Sequence, residues 1–164
     1  MFDGIGRDFG ELMKRATAFK RQGKWEDALR CCREAHEMAM SSPSGGLSEE
    51  TWTKYPLYLQ QAGRYDEAMS VFRQVIDAAD AIIARDLGDQ PAFIQRGYAH
   101  NLRRIVFDKM RVAAEREKRR DDAEEFRRQA SAASDAFDAF CKVRDLHRKR
   151  EREKYEQKRA ARSS

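Results

Sequence analysis

Two stretches of the chain share one layout, forty residues apart. Residues 23–28 read GKWEDA and residues 63–68 read GRYDEA, so glycine, a base, an aromatic residue, two acids and alanine recur in the same order. Glycine favours the left-handed backbone that ends a helix, and acids favour the first turn of the next helix. The layout therefore predicts a helix, a tight turn and a second helix, written twice. Because one such hairpin cannot bury both of its faces, its repetition indicates a stack of hairpins.

The rest of the chain also favours helices. Only three of its 164 residues are proline and nine are glycine, and apolar residues recur at intervals of three and four. We predict an all-α stack of antiparallel hairpins at about residues 5–40 and 48–87, with a longer hairpin at 91–140 that packs as a coiled coil. Together these would form one domain, 1–140, followed by a basic helical extension, 141–164.

Helix limits can be predicted from residues that favour helix ends. Ser48 is followed by two acids and suits an N-cap, and Pro91 suits a first helical position. Asp121, with Glu124 three residues later, has the arrangement of a capping box and predicts a helix start. The first helix should carry an apolar stripe made of Phe2, Ile5, Phe9, Leu12, Ala16 and Phe19.

The repeated layout resembles the tetratricopeptide repeat (TPR), a helical hairpin of about 34 residues. Two units are similar to it, at about residues 9–42 and 49–82, and the serine- and glycine-rich loop between them fits their excess spacing. The small residues that the family places where helices cross correspond to Ala28 and Ala68. Gly97 matches the glycine of a third unit. The resemblance implies a TPR-like superhelix.

The chain departs from the TPR pattern at Arg15, where the family has an apolar residue, and at Pro56, where it has a small one. Neither unit has the terminal proline of the family. Proline inside a helix removes a backbone hydrogen bond and costs about 3 kcal/mol. Pro56 indicates either a tolerated kink or late helix start, or a kink that shapes a binding groove.

TPR arrays bind peptides or helices of partner proteins along the face made by the first helix of each hairpin. The resemblance therefore implies a protein-interaction module, an adaptor or regulatory scaffold without catalysis. Met13 and Thr17 stand where carboxylate-binding TPR proteins carry lysine and asparagine, which argues against a clamp for chaperone tails. The alternative is that the residues of this face are ordinary exposed positions. The implied groove residues are Met13, Thr17, Lys20, Arg21, Thr53, Leu57, Gln60, Gln61, Tyr98 and Asn101, with Ile94 beside them.

The C-terminal segment suggests other partners. Residues 141–164 carry 10 basic and 4 acidic residues, and cations at this density can neutralise the phosphates of nucleic acid. A solvated helical extension, or the end of an intermolecular coiled coil in a self-associating protein, would have the same composition. The basic surface in question consists of Arg144, Arg148, Lys149, Arg150 and Arg152.

Catalytic and metal-binding patterns are missing from the sequence. The three histidines lie in separate predicted helices, and no nucleophile is paired with a base. Cys32 and His36 lie four residues apart and could supply two metal ligands, whereas a structural zinc site needs four. We predict no catalytic residues, cofactor or metal. Three cysteines, two of them adjacent, fit reduced thiols. With no apolar stretch long enough for a membrane span, we predict a cytoplasmic protein without membrane contact.

Overall fold

The computed structural model describes residues 3–41 and 48–163, with side chains described over 8–41 and 48–161. Within these ranges the chain forms helices and no strand, so the prediction of an all-α fold is confirmed. Phe2, the side chain of Ile5 and most of the predicted loop after the first hairpin lie outside the described residues. The helices are α1 (Asp3–Arg21), α2 (Trp25–Ser41), α3 (Glu49–Gln61), α4 (Tyr65–Asp86), α5 (Ala92–Arg116) and α6 (Arg120–Ser163).

Successive helices pair as hairpins, α1 with α2, α3 with α4 and α5 with α6, and α2–α3 and α4–α5 contacts join the hairpins into a stack. The core runs through all three hairpins without interruption. Ala28 and Ala68, directly after the first two turns, have no exposed surface, which allows the helices of each hairpin to approach closely. The largest fully buried side chains are Phe72, Leu29, Leu59, Ile82, Met110, Val75 and Val106.

The first two turns have the predicted left-handed glycines, with φ of 72° at Gly23 and 80° at Gly63. In the second turn Gly63 N donates to Gln60 O over 3.0 Å and the next amide donates to Leu59 O over 2.9 Å. The first turn has the same two bonds at equivalent positions. These bonds satisfy carbonyls that the helix end would otherwise leave unpaired.

A third turn of the same construction ends α5. Lys118 adopts the left-handed conformation with φ of 58°. Lys118 N donates to Glu115 O over 3.0 Å, and Arg119 N donates to Ala114 O over 2.9 Å. Residues 118–123 read KRRDDA, so two acids and alanine again follow. The third hairpin therefore contains the same turn, fifty-five residues after Gly63.

This turn corrects two predictions about the third hairpin. Asp121 is not an N-cap, because α6 begins at Arg120 and Asp121 lies in its first turn. Glu124 does not complete a capping box there; its carboxylate accepts a hydrogen bond from Arg127. Gly97 lies inside α5, the first helix of the predicted third hairpin.

The aromatic residue of each of the first two turns packs against the hairpin that follows. Trp25 meets Tyr58 of α3 edge to face, with ring centroids 6.2 Å apart. Tyr65 donates to Asp122 Oδ2 over 3.0 Å and lies under the Arg119 guanidinium at 4.2 Å from the ring centroid. Arg120 holds the same position in the third turn and is exposed. No hairpin follows it in the described residues, so an aromatic ring would have nothing there to cover.

Gly97 instead lets α5 and α6 approach closely. A Cβ atom added at Gly97 would overlap the ring of Phe140. Tyr98 and Phe137 pack around the same ring, with centroids 5.7 Å and 5.8 Å away. Glycine at this position therefore forms the hole that receives Phe140.

Pro56 lies inside α3 and is fully buried. Since α3 begins at Glu49, the predicted late helix start is wrong. Ser48 does occupy the N-cap position, although its hydroxyl makes no capping bond to the backbone. Pro91 is the residue before the first residue of α5, Ala92, rather than the first helical residue.

Candidate functional site

The first helices of the three hairpins, α1, α3 and α5, border one cavity of about 640 Å³. Contacts at both sides of α3 hold these helices together, with α1 on one side and α5 on the other. Four predicted groove residues, Thr17, Thr53, Leu57 and Gln61, line this cavity. The other lining residues are Ser48, Glu49, Glu50, Lys54, Tyr58 and Lys109.

Lysines connect α1 with α3 along one wall of the cavity. Lys54 Nζ donates to Thr17 Oγ1 over 3.0 Å and pairs with Glu50 Oε1 at 2.9 Å, and only 12% of its side chain is exposed. Lys20 donates to the side chain of Gln61 and lies 4.6 Å from the centroid of the Tyr58 ring. Both cations are held in place by neighbouring groups, and Glu50 balances the charge of Lys54 on this wall.

The opposite wall is built by α5. Lys109 Nζ pairs with Glu49 Oε1 at 2.9 Å, and Gln60 Nε2 donates to Glu117 Oε1 over 2.8 Å. These two contacts place the C-terminal half of α5 beside α3. Lys109 was not among the predicted residues. The third turn would have indicated Lys109. Because Lys118 corresponds to Gly63, the residues before Lys118, in the C-terminal half of α5, correspond to α3.

Several predicted groove residues lie elsewhere. Met13 and Gln60 are buried, with 9% and 6% of their surface exposed, so neither side chain is available to a ligand. Tyr98 and Ile94 line a different cavity, between α4, α5 and α6. Asn101 Oδ1 accepts a hydrogen bond from Arg104 Nη2 over 2.8 Å, away from the first cavity. These three residues lie about four helical turns before the part of α5 that corresponds to the groove positions of α3 when Lys118 is aligned with Gly63.

Arg21 and the predicted basic residues occupy the surface. Arg21, Lys149, Arg150 and Arg152 are exposed, as is Arg148. Residues 141–163 continue α6 without interruption, and the apolar side chains of Leu146 and Tyr155 are 59% and 69% exposed along it. Arg144 differs from the rest of the basic surface because its guanidinium lies 5.7 Å from the centroid of the Phe140 ring.

His36 is buried between α2 and α3. Its ring centroid is 5.6 Å from that of Tyr55 and 6.3 Å from that of Trp52, and neither ring nitrogen has a hydrogen-bond partner among the described residues. Burial lowers the pKa of His36 because the charged imidazolium would lose its hydration. Burial likewise raises the pKa of the neighbouring Cys32 thiol to about 12. Both groups are therefore neutral at physiological pH.

Protonation of His36 is expected to destabilise the fold. Because its pKa in the folded protein lies below 6.5, the unfolded chain binds more protons than the folded chain once the pH falls below about 6.5. The stability contributed by neutral His36 is present above that pH and is lost as the pH falls toward the lower folded-state pKa. Urea unfolding at about pH 7 and about pH 5 measures the difference.

His36→Leu should reduce the difference in the free energy of unfolding between about pH 7 and about pH 5. His147→Gln is the matched control, since His147 is exposed on α6. An unchanged profile in His36→Leu would show that other groups cause the loss.

Comparisons with known proteins point to one repeat. A family model of the tetratricopeptide repeat matches residues 57–91, from the second half of α3 through α4 to the residue before α5. No curated protein and no solved structure matches the chain. In the described part of the chain, no helix has the length and apolar character needed to cross a membrane. No group of three or more His, Cys, Asp and Glu residues there is placed to hold a metal ion.

Proposed function

Because the chain is a TPR-like helical repeat protein, we propose that it holds a peptide or helix of a partner protein in the cavity between α1, α3 and α5. TPR repeats generally mediate binding between proteins. The observation that carries the proposal is the convergence of Thr17, Thr53, Leu57 and Gln61 on one cavity. These residues come from helices of two different hairpins, and a single bound segment would contact both.

The chemistry of the cavity suits a peptide. Leu57 and Tyr58 offer apolar surface, while Thr17 and Gln61 offer groups that can pair with a peptide backbone. Lys54 and Lys109 lie on opposite walls, and each is paired with a carboxylate that also lines the cavity, Glu50 and Glu49 respectively. A partner segment with a central apolar side chain and polar groups on both sides of it would match this arrangement.

Within this proposal the protein is an adaptor or regulatory scaffold without an enzymatic reaction of its own, and it acts in the cytoplasm. Residues 1–140 would form the interaction domain, and 141–164 would extend from it as a basic helix. Binding of nucleic acid by this extension, which carries exposed Lys149, Arg150 and Arg152, is the second candidate. Self-association is the third.

Affinity purification with a groove variant tests the proposal. Leu57→Lys places a charge in the cavity and should reduce recovery of groove-bound partners by about tenfold or more, as at a binding hot spot. Leu146→Lys is the matched control, because Leu146 is exposed on α6 and far from the cavity residues in sequence.

Partners recovered equally by wild type and Leu146→Lys, lost with Leu57→Lys and insensitive to nuclease would support the groove. Recovery that depends on intact nucleic acid would favour the second candidate. Partners that ignore Leu57→Lys would contradict the proposal, provided that thermal unfolding shows the variant folded.

A further inference from the structure

A second cavity, of about 550 Å³, lies between the end of α4, the start of α5 and the middle of α6. It is separate from the groove described above, since the two share no lining residue. The residues that matter for its chemistry are Leu87, Phe93, Ile94, Arg144, His147 and Arg148.

This cavity arises from the extra length of the third hairpin. The third turn comes fifty-five residues after the second, whereas the second comes forty after the first. The added length extends α5 in the N-terminal direction, and α6 continues beside it. The first helix of the middle hairpin, α3, has only 13 residues, whereas α5 has 25. Binding here would therefore be a property of the third hairpin rather than of the repeat.

The cavity combines an apolar floor with a basic rim. Leu87, Phe93 and Ile94 are each partly exposed on the floor. On the rim, Arg144 is held over the Phe140 ring and 22% of its side chain is exposed. Such an ordered cation loses little conformational entropy when it pairs with a ligand.

His147 and Arg148 complete the rim. His147 packs on Phe93 with ring centroids 5.5 Å apart. Arg148 makes no ion pair with the described residues and faces the same opening. Opposing these groups, Asp86 is the one carboxylate that lines the cavity, and Asp145 beside it pairs with Arg144 at 3.1 Å. Among the lining residues Arg144 and Arg148 outnumber the carboxylate of Asp86, and because Asp145 pairs with Arg144, Arg148 is the cation whose charge is left for a ligand.

We propose that this cavity binds an acidic peptide segment of another protein, with an aromatic or long aliphatic side chain against Leu87 and Phe93 and a carboxylate paired with Arg148. Charge complementarity selects the carboxylate, and the apolar floor selects the large side chain. Nucleic acid would use the cations and could stack a base on Phe93, but it would leave the aliphatic Leu87 and Ile94 without a matching group. Docking of the segment 141–164 from a second copy is disfavoured because that segment is itself basic.

Selection from a random peptide library on the full chain tests this inference. The enriched peptides should combine Asp or Glu with a large apolar residue, and the affinity of the most enriched one is then measured by fluorescence polarisation. Arg148→Glu should weaken its binding by about tenfold, because like charges then face each other. Ile94→Ala should weaken it as well by removing apolar contact area. Lys158→Glu, the same charge change at an exposed position farther along α6, should change the affinity by less than about twofold.

The alternatives have distinct outcomes. Enrichment of peptides without acidic residues, no enrichment at all, or equal effects of Arg148→Glu and Lys158→Glu would overturn the inference. Tight binding of a single-stranded RNA oligonucleotide that Arg148→Glu abolishes would assign the rim to nucleic acid. A dimer in light scattering that Arg148→Glu dissociates would assign the cavity to a second copy. Leu57→Lys should leave binding of the selected peptide unchanged. The proposal for this cavity and the proposal for the groove are therefore tested independently.

Discussion

Phe72→Ala is expected to lower the free energy of unfolding by about 3–5 kcal/mol, the range measured for removal of a buried aromatic ring. Phe72 has no exposed surface and lies in α4, the second helix of the middle hairpin. That hairpin contacts α2 on one side and α5 on the other. The cavity left by the ring would therefore weaken the centre of the stack. Urea unfolding followed by circular dichroism measures the change in the midpoint, and an unchanged slope shows that the folded state is still compact.

Cys32→Ala is the matched comparison for Phe72→Ala. Cys32 stands forty residues before Phe72, at the equivalent position of the first hairpin, and is 1% exposed. Because its thiol is neutral and buried, its loss removes only a small volume and should cost about 1 kcal/mol. Similar losses in the two variants would contradict the interpretation of both residues as space-filling members of one repeat.

Gly97→Ala is expected to destabilise the protein by about 1–3 kcal/mol, as overpacked cores do. In an exposed helix interior the same change stabilises by up to about 1 kcal/mol, since alanine is the better helix former. The sign is reversed here because the added Cβ would overlap the Phe140 ring. Either α6 moves away from α5 or the ring leaves its position, and both disrupt the third hairpin.

Gly10→Ala is the control for helix propensity. A Cβ added at Gly10, inside α1, meets no atom within 4 Å, so this variant should be as stable as wild type or more so. Combining Gly97→Ala with Phe140→Ala should cost less than the sum of the two single changes, because the overlap disappears with the ring. Additive costs in that double-mutant cycle would show that the two positions do not meet.

The first two hairpins were predictable from local signals. Gly23 and Gly63 have the left-handed backbone for which glycine is suited, and the two acids after each turn lie in the first turn of the next helix. These features depend only on neighbours within a few residues, so they can be recognised directly in the sequence. The start of α3 was similarly predictable from Ser48.

The start of α6 was predicted within two residues from Asp121, but the equivalence of the third turn to the first two was not recognised. Sequence patterns treat glycine as a turn former, yet Gly97 serves packing: it provides space for a ring forty-three residues away. The turn between α5 and α6 has Lys118 in the left-handed conformation, and a lysine carries no turn signal in the sequence. The two acids and the alanine after it were visible, but they were interpreted as a capping box.

The sequence by itself determined that the chain is helical, that its hairpins repeat and where the first two of them turn, because each of these features depends on residues close together in the chain. Only the tertiary structure decided which part of α5 lies beside α3, that Lys109 joins Thr17 and Leu57 at one cavity, and that Tyr98 belongs to another. Those relations depend on the axial register of the long helices against one another. That register is set by contacts between residues distant in the chain, such as Gly97 with Phe140 and Glu49 with Lys109.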